Sequence, residues 1–167
     1  LIYMAKILKI NGIDDFVVAV AGKGGQKENM IKLLDETGTK DLFRFLDFVS
    51  YEEMPDINRM ADVFVLPSYP IMTWQEQFGM VLAEAMASGK PVISTLSGSI
   101  PEVAGDASLL IPPGDYKALA DAVMKIKKDK SLREKLSGKA RERAEKLFNC
   151  SSIADELSNV LKEISCK

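Results

Sequence analysis

Apolar and polar positions along the chain follow two periods that alternate from one end of the sequence to the other. Short runs rich in β-branched and aromatic residues are typical of strands in a parallel sheet, and the segments between them have apolar residues at helical spacing. The predicted strands are 16–21, 43–49, 62–66, 90–95 and 108–111. The predicted helices are 1–10, 26–36, 50–60, 78–88, a turn from 99, 116–128, 131–147 and a last one from 151 or 152 to the C-terminus. This alternation predicts a Rossmann-like α/β fold, a parallel sheet flanked by helices that ends in C-terminal helices.

Several helix ends can be assigned from individual residues. Ser50 with Glu53 and Ser99 with Glu102 have the spacing of a capping box. Asp115 is expected to cap the helix from Tyr116, Ser131 the helix that follows it, and Gly89 to stop the helix before it in a left-handed conformation. These are expectations about local hydrogen bonds, which the structure can test one by one.

The most informative segment is 68–89, which begins as a loop and ends as a helix. The helix from Phe78 to Ser88 is apolar on nearly every side, so we expect other elements to enclose it. Its apolar stripe consists of Val81, Leu82, Ala85 and Met86, and the small or apolar residues Met80, Ala83 and Ala87 fill the other side. Glu84 is the exception, and a carboxylate in such a setting needs a hydrogen-bonding partner.

A second carboxylate, Glu76, lies eight residues before Glu84, just ahead of the helix. The N–H groups of Gly79, Met80 and Val81 lie between the two and lack intrahelical acceptors, which suits an anion such as phosphate. The segment also follows the third predicted strand, and ligands of open parallel sheets bind beyond the carboxyl ends of the strands. The sequence therefore predicts a site for a sugar diphosphate at this edge.

Composition narrows the classes of function. The 167 residues fit one domain, and 47% apolar with 28% charged residues is typical of a globular protein. There is no histidine, which excludes most serine–histidine, cysteine–histidine and zinc chemistries in this chain. The two cysteines, Cys150 and Cys166, have no metal-site spacing and are interpreted as reduced thiols. A net charge of −2 argues against nucleic-acid binding, and no run is long and apolar enough to span a membrane.

Two other stretches have ordinary interpretations. Gly22-Lys23-Gly24-Gly25 imitates a dinucleotide-binding fingerprint, but Lys27 occupies the third glycine position, so a simple strand-to-helix turn is favoured. The segment 125–146 holds ten Lys or Arg and four acidic residues, alternating with apolar positions. A solvated helix face explains this pattern, and contact with an anionic membrane surface is the alternative.

Five motifs occur in the order and spacing of a known family. They are Glu76-x-Phe78-Gly79, Glu84-Ala85, Gly89-x-Pro91-Val92-Ile93, Gly98-x-x-Pro101-Glu102 and Pro113-Gly114-Asp115. In this the chain resembles the C-terminal, donor-binding domain of retaining GT-B glycosyltransferases of the large family 4 type, over nearly its whole length. Such enzymes transfer a sugar from a nucleotide-diphosphate sugar to an acceptor hydroxyl with retained anomeric configuration, and they need no metal cofactor.

The resemblance implies a role for each candidate residue. Glu84 matches the glutamate that accepts hydrogen bonds from the ribose hydroxyls, and Glu76 matches the catalytic-site glutamate at the donor sugar. The remaining donor-binding positions are the backbone amides of Phe78, Gly79, Met80 and Val81 at the sugar and diphosphate, Val49 at the base, and Gly22 and Gly24 after the first strand. Asp47 departs from the family, in which a glycine is usual before the base-lining residue.

Family members carry an Arg and a Lys-Gly on a strand and loop upstream of the helix that matches residues 1–8, preceded by an N-terminal acceptor lobe. The resemblance therefore implies that residues 1–167 are a single nucleotide-sugar-binding lobe of a two-lobe enzyme, lacking the lobe's first strand. The expected partners are a UDP-, GDP- or ADP-linked sugar and, through the other lobe, an acceptor sugar or lipid-linked sugar. The expected location is cytoplasmic, with the membrane face as an alternative. A GT-B nucleotide-sugar epimerase lobe and a non-catalytic nucleotide-binding or scaffold domain remain alternative functions.

Overall fold

The computed structural model describes residues 1–165, and in them strands and helices alternate as predicted. The elements are α1 (Ile2–Ile10), β1 (Val18–Ala21), α2 (Lys27–Thr37), β2 (Phe43–Asp47), α3 (Met54–Met60), β3 (Phe64–Leu66), α4 (Met80–Ala87), β4 (Val92–Thr95), α5 (Ile100–Ala104), β5 (Ser108–Ile111), α6 (Tyr116–Lys128), α7 (Lys130–Leu147) and α8 (Cys150–Ser165). Short 3₁₀ turns at Lys40–Leu42 and Gly105–Ala107 precede β2 and β5. Cys150 is an exposed free thiol, and Cys166 lies outside the described residues. The predicted fold class, a parallel α/β fold with C-terminal helices, is confirmed.

All strand pairs are parallel, but they form two sheets where the sequence predicted one. β1 pairs with β2, and β3, β4 and β5 form a separate sheet in that order. Within the described residues, no ladder hydrogen bonds join β1 to β3, so each of these strands is paired on one side only. The hydrophobic pattern could identify the strands but could not reveal this interruption, because pairing depends on contacts between distant parts of the chain.

Helix α1 packs against both sheets and connects them through two different faces. Ile2 and Ala5 are buried in a cluster with α2 and β2. Met4 and Leu8 are buried in a second cluster, which contains β4, β5 and α6. Residues three or four positions apart share a helix face, so Ile2 with Ala5 and Met4 with Leu8 form two separate faces, and a single helix can supply both clusters.

Strand β4 is the centre of the larger sheet and is completely buried. Val92 packs with α4, α5 and α7 on one face, whereas the next residue, Ile93, packs with α1 and α6 on the other. Burying each such side chain stabilises the fold by about 1.5–3 kcal/mol. Helices therefore cover both faces, as expected for a parallel sheet.

The outer strands are shorter and less buried than predicted. The prediction that 16–21 is buried on both faces is wrong: the strand begins at Val18, its residues alternate between half-buried and exposed, and Val17 is 60% exposed. This follows from its position, since β1 has only β2 beside it. The second strand ends at Asp47, not Val49, because Asp47 adopts a left-handed conformation with φ 52° that turns the chain out of the strand.

The predicted helix ends were partly right. Ser50 and Glu53 form the reciprocal bonds of a capping box, with the Ser50 N–H donating to Glu53 Oε2 at 3.1 Å and the Glu53 N–H donating to Ser50 Oγ at 3.3 Å. Asp115 accepts from the N–H groups of Lys117 and Ala118, so its prediction is confirmed.

Two other capping predictions are wrong. Ser99 makes no cap bond with its side chain, because its hydroxyl donates to the Gln77 carbonyl. Asp129 replaces Ser131 as the cap of α7, since it lies two residues earlier and its carboxylate accepts from the Leu132 N–H at 2.9 Å.

Helix α7 is hydrogen-bonded to the C-terminal ends of α4 and α5. Arg141 donates to the Ala87 carbonyl at the end of α4. Arg143 donates to the carbonyls of Val103 (2.8 Å) and Glu102 (2.6 Å) in α5. The interpretation of 125–146 as a solvated face is therefore incomplete, because two of its arginines satisfy carbonyls that have no intrahelical partner.

We expect Arg143→Ala to lower the free energy of unfolding by about 1–3 kcal/mol, because it removes charge-assisted hydrogen bonds to two carbonyls. Arg133→Ala is the matched control: Arg133 lies in the same helix, makes no side-chain hydrogen bond within residues 1–165, and should change stability by less than about 0.5 kcal/mol. Urea denaturation followed by circular dichroism measures both variants. If both variants lost the same free energy of unfolding, the hydrogen bonds from Arg143 to α5 would add no stability beyond that of an ordinary arginine on this helix.

Candidate functional site

The N-terminus of α4 presents backbone N–H groups that the protein itself does not use. Gly79 caps the helix in a left-handed conformation (φ 77°), and the helix begins at Met80 rather than at the predicted Phe78. Among the described residues, none accepts a hydrogen bond from the N–H groups of Gly79, Met80 or Val81. Their position at the positive end of the helix dipole suits a phosphate group.

Glu84 lies on the half-open side of α4. The prediction that this helix is enclosed on all sides is wrong: Leu82, Ala85 and Met86 are completely buried, but Met80 is 64% and Val81 42% exposed. Glu84 follows Met80 by one helical turn, so it shares the open face, and it is half-buried.

The carboxylate of Glu84 accepts no hydrogen bond from any described residue, so its oxygens remain able to accept from a ligand. The C-terminal end of α4 is closed as predicted, with Gly89 left-handed (φ 68°). Its N–H bonds the Met86 carbonyl, and the Lys90 N–H bonds the Ala85 carbonyl, which together make a Schellman motif.

Glu76 is half-buried and held by two neighbours. The Ser68 hydroxyl donates to its Oε2 at 3.3 Å, and the Ser99 N–H donates to its main-chain carbonyl at 3.1 Å. Ser68 is itself attached to β4, because the buried Thr95 hydroxyl donates to the Ser68 carbonyl at 2.7 Å. The loop that carries Glu76 is therefore connected to the most buried strand of the protein through a short chain of hydrogen bonds.

Gly98 packs so closely against the backbone of the same loop that there is no room for a side chain at this position. Its φ is 54°, and a Cβ atom built on it would lie 1.8 Å from the Glu76 carbonyl oxygen. This contact gives a physical reason for the glycine in the Gly98-x-x-Pro101-Glu102 motif. The motif could be recognised in the sequence. That Gly98 and the Ser99 N–H hold Glu76 in position could not be predicted, because these residues are far from Glu76 in the chain.

Phe78 belongs partly to the core. Its ring packs edge-on against Phe148, with ring centroids 5.4 Å apart, and it remains 38% exposed. This contact accounts for the aromatic residue and leaves the backbone amide as the group that could meet a ligand.

The other predicted positions cluster at the smaller sheet. Val49 follows β2 and is half-buried, whereas Gly22 and Gly24 are exposed in the turn after β1. The Gly22 N–H donates to the Asp47 carbonyl at 2.7 Å, so this amide is not free for a phosphate. Within residues 1–165, no hydrogen bond connects this group to Glu76 or Glu84, so the structure shows two clusters of candidate residues.

Asp47 takes a left-handed conformation that accounts for the glycine usual at this position in the family it resembles. Its carboxylate is bonded to Lys27, and that hydrogen bond, with the charges of Lys27 and Lys23, lowers the pKa of Asp47. Lys23 Nζ also lies 5.9 Å from the centre of the exposed Phe48 ring. Sequence reasoning missed this arrangement because it depends on a turn that the residue types did not indicate.

Residues 1–165 contain neither a cluster of metal-binding side chains nor a helix that could span a membrane. No three His, Cys, Asp or Glu side chains come together in a way that could hold a metal ion. No helix in this part of the chain has the length and apolarity needed to cross a membrane.

Parallel βα units with free amides and carboxylates at one edge define an α/β domain of the kind that binds phosphorylated ligands. The family described as "Glycosyl transferases group 1" matches residues 1–143, and the chain belongs to this family. D-inositol 3-phosphate glycosyltransferase of Saccharomonospora viridis is 34% identical over 154 residues, which are 88% of this chain and 34% of that protein. The chain thus spans about a third of the length of this relative.

Solved structures show the same fold. Sucrose-phosphate synthase from Thermosynechococcus elongatus matches 99% of this chain and 42% of its own chain, with a TM-score of 0.80 and 27% identity. The HepE protein of Anabaena, solved with UDP, matches 96% of this chain and 44% of its own, with a TM-score of 0.84 and 20% identity. HepE has also been solved with UDP-glucose.

We expect Gly98→Ala to lower the free energy of unfolding by at least about 2–3 kcal/mol, because strain at positive φ adds to a clash with the Glu76 backbone. Gly89→Ala is the control. Gly89 also has a positive φ, but nothing lies within 4 Å of the position of its Cβ, so only about 1 kcal/mol of backbone strain is expected. Urea denaturation of both variants tests this difference, and equal effects would argue against the close approach.

We expect Asp47→Gly to be more stable than Asp47→Ala, because both lose the bond to Lys27 but only alanine is strained at φ 52°. Thermal denaturation at neutral pH compares the two variants directly. An alanine variant as stable as the glycine variant would mean that Asp47 does not hold the left-handed conformation in solution.

Proposed function

We propose that this chain is the donor-binding lobe of a retaining glycosyltransferase that transfers a sugar from a nucleotide-diphosphate sugar to an acceptor hydroxyl. The observation that carries the proposal is the combination at α4: unused N–H groups of Gly79 to Val81, with the free carboxylate of Glu84 one turn further and Glu76 held just before them. Membership of the glycosyltransferase family favours this function over the epimerase alternative.

Each part of this arrangement suits one part of the donor. The N–H groups at the start of α4 would bind the diphosphate. Glu84, with free acceptor oxygens on the open face of the helix, would take the ribose hydroxyls. Glu76, whose Oε2 already accepts from Ser68, would hydrogen-bond hydroxyls of the transferred sugar and stabilise positive charge that develops on its ring.

The proposed reaction is dissociative, with an oxocarbenium-like sugar and a diphosphate leaving group. The backbone dipoles at α4 would stabilise charge on that leaving group. The chain has no histidine to act as a general base, so the departing phosphate is the group proposed to accept the proton of the acceptor hydroxyl. The proposal involves no metal ion.

We propose that the cations that would face the diphosphate come from outside these residues. None of the groups at the start of α4 is a Lys or Arg side chain, whereas the family resemblance implies an Arg and a Lys facing the diphosphate. We therefore propose that residues 1–167 bind a nucleoside diphosphate weakly and transfer no sugar without a second lobe.

The donor is proposed to carry UDP, GDP or ADP, and UDP is the first to test because HepE, with the same fold, was solved with UDP and UDP-glucose. We propose a cytoplasmic location. If the acceptor is lipid-linked, the exposed lysines of α6 and α7, such as Lys128 and Lys135, are the groups that would face anionic headgroups.

Isothermal titration of the protein with UDP, GDP and ADP tests the donor site. We expect heat for at least one of them, and the same heat with EDTA present, because the proposed contacts need no metal. Glu84→Ala should weaken that binding by at least about thirtyfold, since hydrogen bonds to a charged carboxylate are lost.

Glu142→Ala serves as the control, because Glu142 is an exposed glutamate on α7 whose side chain makes no hydrogen bond or ion pair within residues 1–165. It should leave the affinity unchanged. A folded protein that gives no heat with any of the three nucleotides, or a Glu84→Ala variant with full affinity, contradicts the proposed donor site.

A further inference from the structure

A cavity of about 760 Å³ lies beside Glu76, and none of the other residues proposed to contact the donor lines it. We call it the hairpin cavity, because one wall is the loop 71–77 and the other is the start of α5. The side chains that define its chemistry are Thr73, Trp74, Glu76, Gln77, Ser99 and Glu102. The N–H groups at the start of α4 do not line it, so the cavity extends from Glu76 over the loop and the start of α5 and not over the start of α4.

The lining is rich in hydrogen-bonding groups and has one sign of charge. It contains the carboxylates of Glu76 and Glu102 together with amides and hydroxyls, and no Lys or Arg. Two carboxylates without a cation repel an anion, but they accept hydrogen bonds well. A neutral ligand with several hydroxyl groups fits these conditions, whereas a phosphate or a carboxylate does not.

Trp74 adds a flat apolar surface at the edge of the cavity. The loop reverses on itself there, with the Ile71 N–H donating to the Trp74 carbonyl at 2.8 Å and the Trp74 N–H donating to the Ile71 carbonyl at 3.2 Å. The indole is 49% exposed. Large aromatic side chains that are half-open beside polar groups are suited to a ligand with apolar ring faces and polar edges.

The other wall is held in place independently of its own side chains. Arg143 bonds the main-chain carbonyl of Glu102, which leaves the exposed Glu102 carboxylate free to face a ligand. The Ser99 N–H bonds the Glu76 carbonyl at 3.1 Å and fixes the two walls relative to each other. The two walls of the cavity are therefore joined to each other by a main-chain hydrogen bond.

We propose that the hairpin cavity binds a neutral, hydroxyl-rich ring of the acceptor, a sugar or a cyclitol, next to the donor sugar at Glu76. This inference rests on the proposed function and adds part of the acceptor site to this lobe. Transfer requires the acceptor hydroxyl and the donor carbon to be held side by side. With the diphosphate on the α4 side of Glu76, the hairpin side is the one from which a second ring can reach the same carboxylate.

Trp74 is the only tryptophan in the chain, so its fluorescence reports on this cavity alone. We would titrate the protein, saturated with UDP, with glucose, mannose, N-acetylglucosamine and myo-inositol at millimolar concentrations. The expected result is a saturable change of Trp74 emission with at least one of these neutral rings. UDP alone should leave the emission unchanged, because the amides of α4 do not line the cavity.

A second titration distinguishes acceptor from donor. If the ring belongs to the acceptor, UDP-glucose leaves the response to the free sugar or cyclitol in place. If UDP-glucose itself changes the emission and displaces the ring, the cavity holds the donor sugar and the acceptor assignment is wrong. Glucose 6-phosphate binding more tightly than glucose would also overturn the proposal, because two carboxylates should repel its phosphate.

Glu102→Gln should weaken ring binding about tenfold without changing the affinity for UDP, because only a hydrogen bond to a charged group is weakened. Glu142→Gln is the matched control and should change neither. No emission change with any of the neutral rings, while UDP still binds, overturns this inference and leaves the donor site intact. A ring that binds while UDP, GDP and ADP do not would instead refute the proposed function.

Discussion

The main-chain hydrogen bond from the Ser99 N–H to the Glu76 carbonyl holds the elements of the candidate site in place relative to one another. It joins the loop after β3 to the start of α5, and it forms only because Gly98 lets the two backbones approach closely. Glu76 would otherwise sit at the end of a long exposed loop, where fixing its conformation would cost conformational entropy each time a ligand binds. In this structure, folding itself fixes the loop, through hydrogen bonds that connect it to the completely buried β4.

The helices behind the site act as a frame for it. α7 crosses α4, where the small buried residues Ala140 and Ala144 allow close packing, and its arginines satisfy the last carbonyls of α4 and α5. The amides at the start of α4 are thus supported from the opposite end of their helix. The loop before Glu76 is more open, because the side chains of residues 71–75 are exposed.

What the sequence could reveal depended on the range of the interactions. Some features determined within a few residues were predicted correctly, such as the left-handed end of α4 at Gly89 and the cap at Asp115, whereas the caps assigned to Ser99 and Ser131 were wrong. The positions of Glu76 and Glu84 on either side of a helix start were also correct, because a motif fixes them at close range. The split of the sheet, the left-handed turn at Asp47 and the open face of α4 were missed. Met80 and Val81 are apolar but exposed, and hydrophobic periodicity alone cannot indicate such positions.

The strands β1 and β3, each left with one neighbour where the two sheets separate, have a practical consequence for the chain in solution. A strand edge with unsatisfied N–H and C=O groups can add another strand, including one from a second copy of the same protein. β1 carries no Lys, Arg or Pro within its four residues, and such residues are the ones that commonly discourage this kind of pairing. The hydrogen-bonding capacity left at the edge of β1 is thus available for pairing with another strand, and covering it is a requirement separate from building the site.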